Sequence, residues 1–148
     1  MNRLCNIIWN LSSTDRSSVI SELIENISIS SNVRKLLCIA LETRELADPT
    51  IVLDGIAIPH CRSILVDDFV IVVGRSVKGI PWPDKKVNIF ILFLSPVKQG
   101  GPSEHTKLLA HIARRLKGGG AEKILTAESP EEIAELLKFK INRIDGNA

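Results

Sequence analysis

The chain has few cysteines and no cysteine pattern. Cys5, Cys38 and Cys61 are an odd number without CxxC spacing, which argues against a disulfide framework and against a zinc site. Reduced thiols are expected, with Cys38, inside LLCIAL, as a small core residue. No run approaches the ~18 apolar residues of a membrane helix. The opening MNRLCNIIWNLSS has neither the long apolar stretch nor the small-residue cleavage site of a secretory signal. A cytoplasmic protein with no direct membrane insertion is therefore expected. Charge of one sign is also lacking: 19 Lys and Arg face 17 Asp and Glu, a net +2, scattered along the length. Nothing in that pattern marks a nucleic-acid partner. HExxH, GxxxxGK[ST] and GxGxxG are all missing, so neither a metal nor a nucleotide cofactor is expected.

What is present is an ordinary globular composition, 45% hydrophobic and 24% charged, which favours neither disorder nor a fibre. The 148 residues fit a single domain spanning 1–148. Thr14 or Asp15 can cap a first helix, with Val19, Ile20, Leu23, Ile24 and Ile27 at helical spacing. Asn32 opens a second, VRKLLCIALETREL, stopped by Asp48-Pro49. The pattern then changes to short runs rich in Val, Ile and Phe: IVL, GIAI, FVIVVG and VNIFILFL. The last two are almost wholly apolar and need cover on both faces. SVKGIPWPDKK between them reads as a turn or irregular hairpin connection. A helix from about Ser103 to Leu116 carries Leu108, Leu109, Ile112 and Leu116 on one stripe and stops at Gly118-Gly119-Gly120. AEKILTA is a short helical segment. Ser129-Pro130-Glu131-Glu132 then supplies an N-cap, a first-turn proline and a capping glutamate for IAELLKFK. The order helix, helix, strands, helix, helix predicts an α/β three-layer sandwich, a mixed β-sheet with helices on both faces, for which a doubly wound sheet is the nearest simple description.

The titratable residues are few. His60 ends the apolar stretch GIAIPHCR, where Pro59 fixes its own φ and stiffens the chain just before the imidazole. It reads equally as a hydrogen-bonded surface residue and as a base, ligand, nucleophile or phosphate carrier. Cys61 is an unsuitable partner for it, because neighbours in a strand point to opposite faces. On the helix that follows, the leucine stripe lies within about 60° of His105, while His111 lies about 120° away. If Ser103 is the N-cap, His105 sits in the first turn, where free N–H groups favour an anion. The alternative is a polar residue at a helix start. Arg44 and Arg62 carry guanidinium forks suited to phosphate, although Arg44 can equally be an exposed cation favoured at a helix C-terminus.

The motifs taken together resemble the enzyme IIA domains of the fructose/mannitol class of the bacterial phosphoenolpyruvate-dependent sugar phosphotransferase system (PTS), including the stand-alone nitrogen-regulatory type. The likeness rests on Arg44-Glu45 followed by Gly55-Ile56-Ala57-Ile58-Pro59-His60, then HTKLLAHIARRL, then AESPEEIAELL, and covers about Asp15 to Lys138. It implies that His60 is phosphorylated by HPr or a relative. Arg44 then corresponds to the family's active-site arginine, and His105 to the second, non-phosphorylated histidine that orients or stabilises the phosphohistidine. The chain departs from the family in Ala47 to Asp54, where a Gly- and Thr-rich loop is usual, and in Thr106, where leucine is. Asp48 or Asp54 would repel a phosphoryl group if either faced it.

The expected function is a phosphoryl carrier that hands the group to a IIB domain or uses it as a signal to a regulated kinase or transporter. The lack of an attached IIB or IIC segment tilts this toward the nitrogen-regulatory type. The alternative is a degenerate IIA-like binding module that controls a partner without carrying phosphate.

Overall fold

The structure, a computed structural model, describes residues 3–48, 51–53, 55–82, 85–98 and 101–142. In chain order the elements are β1 (Leu4–Ile8), α1 (Arg16–Glu25), α2 (Ser31–Ala47), β2 (Ile51–Leu53), β3 (Ile56–Ala57), β4 (His60–Ser63), β5 (Val70–Pro81), β6 (Lys86–Pro96), α3 (Gly101–Leu116), α4 (Gly120–Leu125), α5 (Pro130–Leu137) and β7 (Lys140–Ile141). Among the described residues the strands form one sheet in the order β2-β3-β6-β5-β1-β7, with β4 also on β6. β5 and β6 are antiparallel, as are β2 and β3, and the remaining pairings are parallel. The sheet is therefore mixed, as its composition predicts. An antiparallel pair at its centre departs from a doubly wound sheet.

The near-continuous apolar runs of β5 and β6 split cleanly by face. Ile71, Val73, Ile89, Ile91 and Phe93 pack with Leu108, Ile112 and Leu116 of α3, Ile124 of α4 and Ile133 and Leu137 of α5. Val72, Phe90, Leu92 and Leu94 pack with Val19, Ile20, Leu23 and Ile24 of α1 and Leu37 and Leu41 of α2. Period-two alternation thus sends each run into two separate cores. The helices lie on both faces.

The caps follow the sequence closely. Asp15 Oδ1 accepts from Ser18 N–H at 2.9 Å, and Ser129 Oγ accepts from Glu132 N–H at 3.2 Å. Ser30, two residues before the expected Asn32, caps α2 by accepting from Val33 N–H. α5 ends at Leu137, because Lys138 turns left-handed (φ 60°) and delivers Phe139 to the core. The expected irregular hairpin is present, with β5 continuing as strand through Pro81 and a register shift between Arg75 and Ile80, where Gly79 takes φ +82°.

Two strands lay outside the expectation. β1 inserts between β5 and β7, yet LCNII carries no alternation, and β7 has only two residues. Neither gives a periodic signal.

The arrangement that matters for function is at one edge of β6. β3 and β4 lie end to end along it, opposite Ile89–Phe90 and Phe93–Pro96 respectively. Gly55, at φ +81°, turns the chain into β3 while its carbonyl accepts from Asn88 and Ile89 N–H. Ile58-Pro59 joins the two strands, with the Pro59 carbonyl accepting from Phe93 N–H at 3.0 Å. His60 is the next residue.

Candidate functional site

His60 stands opposite Phe93 in register, and the two rings stack at 4.9 Å with planes 6° apart. Its Nδ1 is 2.7 Å from the Ile58 carbonyl oxygen. A carbonyl only accepts, so Nδ1 carries the proton and Nε2 of the neutral ring keeps a lone pair. That Nε2 faces Arg44 Nη2 at 3.2 Å. Arg44 reaches it from the last turn of α2, on the other face of the sheet.

His105 of α3 completes the group. Its ring lies 5.1 Å from that of His60, tilted by 46°, and 5.0 Å from that of Phe93. Nδ1 of His105 is 2.8 Å from Oγ of Ser95, which is buried near the end of β6. α3 begins at Gly101, so His105 is its fifth residue and lies beyond the first-turn N–H groups that a Ser103 cap would have offered. The anion-binding reading of that turn is corrected accordingly. His105 acts through its ring.

The electrostatics keep both rings neutral at pH 7. Burial lowers the His60 pKa, and the Arg44 cation lowers it further against the opposing bond to Ile58. His105 is pushed down to about 4 by burial, then by His60, Arg62 and Arg44. Two guanidinium groups therefore act on a pair of uncharged imidazoles.

The three site residues singled out by sequence, Arg44, His60 and His105, come together here. His111 does not: it is buried on the far flank of α3, with Nε2 2.9 Å from the Leu137 carbonyl and its ring against Phe139. Cys61 packs with the α1 and α2 core, opposite His60, and burial raises its thiol to about 11. Asp48 is the exposed cap residue of α2, its N–H bonded to the Arg44 carbonyl, and it is not among the charges acting on either histidine. Asp54 lies outside the described residues. Thr106 is exposed. Among the described residues no three His, Cys, Asp or Glu side chains converge to hold a metal ion.

Sequence reasoning missed Phe93 as the stacking platform and Ser95 as the partner of His105. Ser95 did leave a signal, as the lone hydroxyl at the end of the apolar run NIFILFL. Glu45 was visible only as half of the Arg44-Glu45 motif. It is fully buried, with Oε2 accepting from Trp82 Nε1–H at 3.3 Å and Oε1 3.6 Å from Arg44 Nη1. Near the site Ile58 is core, whereas Ile64 is 73% exposed, and Leu65 and Val97 are exposed as well.

A mixed sheet covered on both faces thus brings two histidine rings and an arginine together at one strand end. The chain belongs to the family described as the phosphoenolpyruvate-dependent sugar phosphotransferase system, EIIA 2, whose model matches residues 3–140. It is 26% identical over 132 residues to the PTS system fructose-specific EIIABC component of Bacillus subtilis (strain 168), which covers 86% of this chain and 21% of that protein. The chain thus spans about a fifth of that relative's length. In fold it is similar to the nitrogen regulatory protein IIA-Ntr from Neisseria meningitidis, with a TM-score of 0.78 at 23% identity over 89% of this chain and 92% of that one. It is also similar to the Escherichia coli mannitol IIA enzyme solved in complex with its phosphorylated IIB enzyme, with a TM-score of 0.71 at 17% identity over 90% and 94% of the two chains.

Proposed function

We propose that the chain is a cytoplasmic phosphoryl carrier in which Nε2 of His60 accepts the group from an HPr-like phosphohistidine protein. The observation that carries this reading is the 2.7 Å contact of Nδ1 with the Ile58 carbonyl, which leaves Nε2 as the lone-pair nitrogen. Nε2 attacks the phosphorus of the donor's phosphohistidine. The donor N–P bond breaks with its electron pair returning to the donor imidazole, and the Nε2–P bond forms. Nδ1–H stays on Ile58 throughout. Arg44 Nη2, which occupies the Nε2 lone pair in the resting site, then turns to the phosphoryl oxygens, and His105 flanks them. Ile64, Leu65 and Val97 offer an apolar rim for the carrier's approach.

The chemistry of handing on is the reverse attack by a nucleophile of the next protein. A IIB domain is the acceptor favoured by the related mannitol enzyme's complex with a phosphorylated IIB. A role as a signal, in which the phosphorylated state is read by a kinase or transporter, would use the same site. The test is intact mass after incubation with phosphoenolpyruvate, enzyme I and HPr, with His60→Ala in parallel. One acid-labile phosphate on the wild type alone supports the reading. A folded wild type that takes up none from several HPr relatives overturns it in favour of a binding module.

A further inference from the structure

Arg44 has to do two things in succession: hold still against Nε2 of His60, then follow the phosphoryl oxygens. A long side chain with 36% of its surface exposed loses considerable rotamer freedom by doing so, and something must hold its head group in place. Its head group also meets a carboxylate. Glu45 Oε1 lies 3.6 Å from Nη1, while Nη2 carries the contact to His60. The Glu45 side chain is 1% exposed, and its other oxygen accepts from Trp82 Nε1–H. Trp82 is itself fully buried against Phe90 at 4.9 Å, just after β5, with its backbone N–H donating to the Lys85 carbonyl. Arg16 of α1 lies over the outer side of that indole at 5.6 Å.

These contacts form one chain from the β5–β6 connection to the reacting nitrogen: Trp82, Glu45, Arg44, His60. Glu45 and Arg44 are neighbours on α2, about 100° apart around its axis, so one points into the core and the other toward the sheet edge. A buried carboxylate beside an apolar core costs several kcal/mol unless it is paired and hydrogen-bonded. The pairing comes from Arg44, across 3.6 Å, and the hydrogen bond from the Trp82 indole at the other oxygen.

We propose that Glu45, anchored by the Trp82 indole, is a positioning residue that aims the Arg44 guanidinium at Nε2 of His60. This rests on the phosphoryl-carrier reading for its purpose, although the geometry can be tested without any transfer. The charged and titratable groups facing His60 are Arg44 from α2 and His105 from α3, with Arg62 of β4 next to His105.

Two effects of Glu45→Gln have opposite signs at His60. Removing a negative charge, acting through space, makes the imidazole harder to protonate and lowers its pKa. Releasing Arg44 takes a cation away and raises it. The experiment is a titration of His60 by NMR in the wild type, Glu45→Gln, Trp82→Phe and Arg44→Ala, with each variant's fold checked by circular dichroism. The expected result is a His60 pKa raised in Glu45→Gln toward that of Arg44→Ala, a smaller rise in Trp82→Phe, and no rise when Glu45→Gln is added to Arg44→Ala. Phosphorylation by phospho-HPr should slow by about 10- to 100-fold in Glu45→Gln through kcat, with KM for the carrier unchanged. An unchanged or lowered His60 pKa in a folded Glu45→Gln overturns the proposal. Should Glu45→Gln fail to fold, Trp82→Phe, which keeps an aromatic ring in the core while losing the indole donor and part of its volume, decides by the same sign. If the wild type accepts no phosphate, the carrier reading falls while the titration still decides whether Glu45 aims Arg44.

Discussion

The Nε2 atom of His60 and the Nη2 atom of Arg44 lie 3.2 Å apart, so the arginine occupies the position that the proposed carrier function gives to the phosphoryl group. Arg44 thus closes off Nε2 in the resting site, and His60 is only 4% exposed. Arg44→Ala should open access to Nε2 and yet slow phosphorylation by about 10²- to 10³-fold, because one fixed donor to the transferring oxygens is lost. Arg44→Lys should recover only part, since an ammonium lacks the planar fork. Single-turnover labelling with phospho-HPr reads both. A rate in Arg44→Ala at or above wild type would remove Arg44 from the transfer step.

Acid should inhibit later than for an ordinary histidine. The His60 pKa lies below its usual value near ~6.5, and protonated Nε2 has no lone pair to attack with. The phosphorylation rate should therefore stay level from about pH 8 down past ~6.5 and fall only below it. Stability follows the same sign. A lowered folded pKa means that the unfolded chain binds the proton more readily, so this contribution is present above ~6.5 and is lost as pH falls through the folded value, about 4 for His105. Denaturant midpoints measured at pH 7.5, 6 and 5 should decline in that order, and a smaller decline in His105→Gln would assign its share.

Ser95→Ala tests the second histidine from behind. Oγ is 2.8 Å from His105 Nδ1 and buried, so its removal leaves a ring nitrogen without that partner at a cost of about 1–3 kcal/mol. The expected outcome is a cooperative fold with a lower Tm and a several-fold slower transfer. The His105 ring nitrogens should also shift in a ¹⁵N spectrum. Transfer at the wild-type rate would mean that the His105 orientation does not depend on Ser95.

What the sequence made legible follows from where its signals are local. Caps at Asp15 and Ser129 are contacts between residues three apart, and the two-faced cores follow from the alternation within β5 and β6. Arg44, His60 and His105 were readable as candidates because histidines are only three in the chain and the Arg44-Glu45, GIAIPH and HTKLLAHIARRL motifs occur in that order. Their convergence was not, since it depends on β3 and β4 sharing one edge of β6. Phe93 hid among other apolar residues of its strand. Glu45 looked like any glutamate on a helix, and only the packing of Trp82 from a segment 37 residues away makes it a buried anion.

A last prediction concerns the hairpin that carries Trp82. Gly79 takes φ +82° at the register shift between β5 and β6, and a Cβ there would lie 2.3 Å from Cε of Lys86. The lysine tail can move aside, so the main cost of Gly79→Ala is the left-handed backbone, roughly 1–2 kcal/mol. Relief of that strain would shift Ile80 and Pro81 and with them the Trp82 indole. Gly79→Ala should therefore lower Tm by several degrees and also weaken the hold of Trp82 on Glu45, moving the His60 titration in the same direction as Trp82→Phe does. Lys86→Ala, which clears the space without touching the backbone, should leave that titration where it is. A Gly79→Ala protein with lowered Tm and an unmoved His60 would place the hairpin's strain outside the Trp82, Glu45 and Arg44 chain.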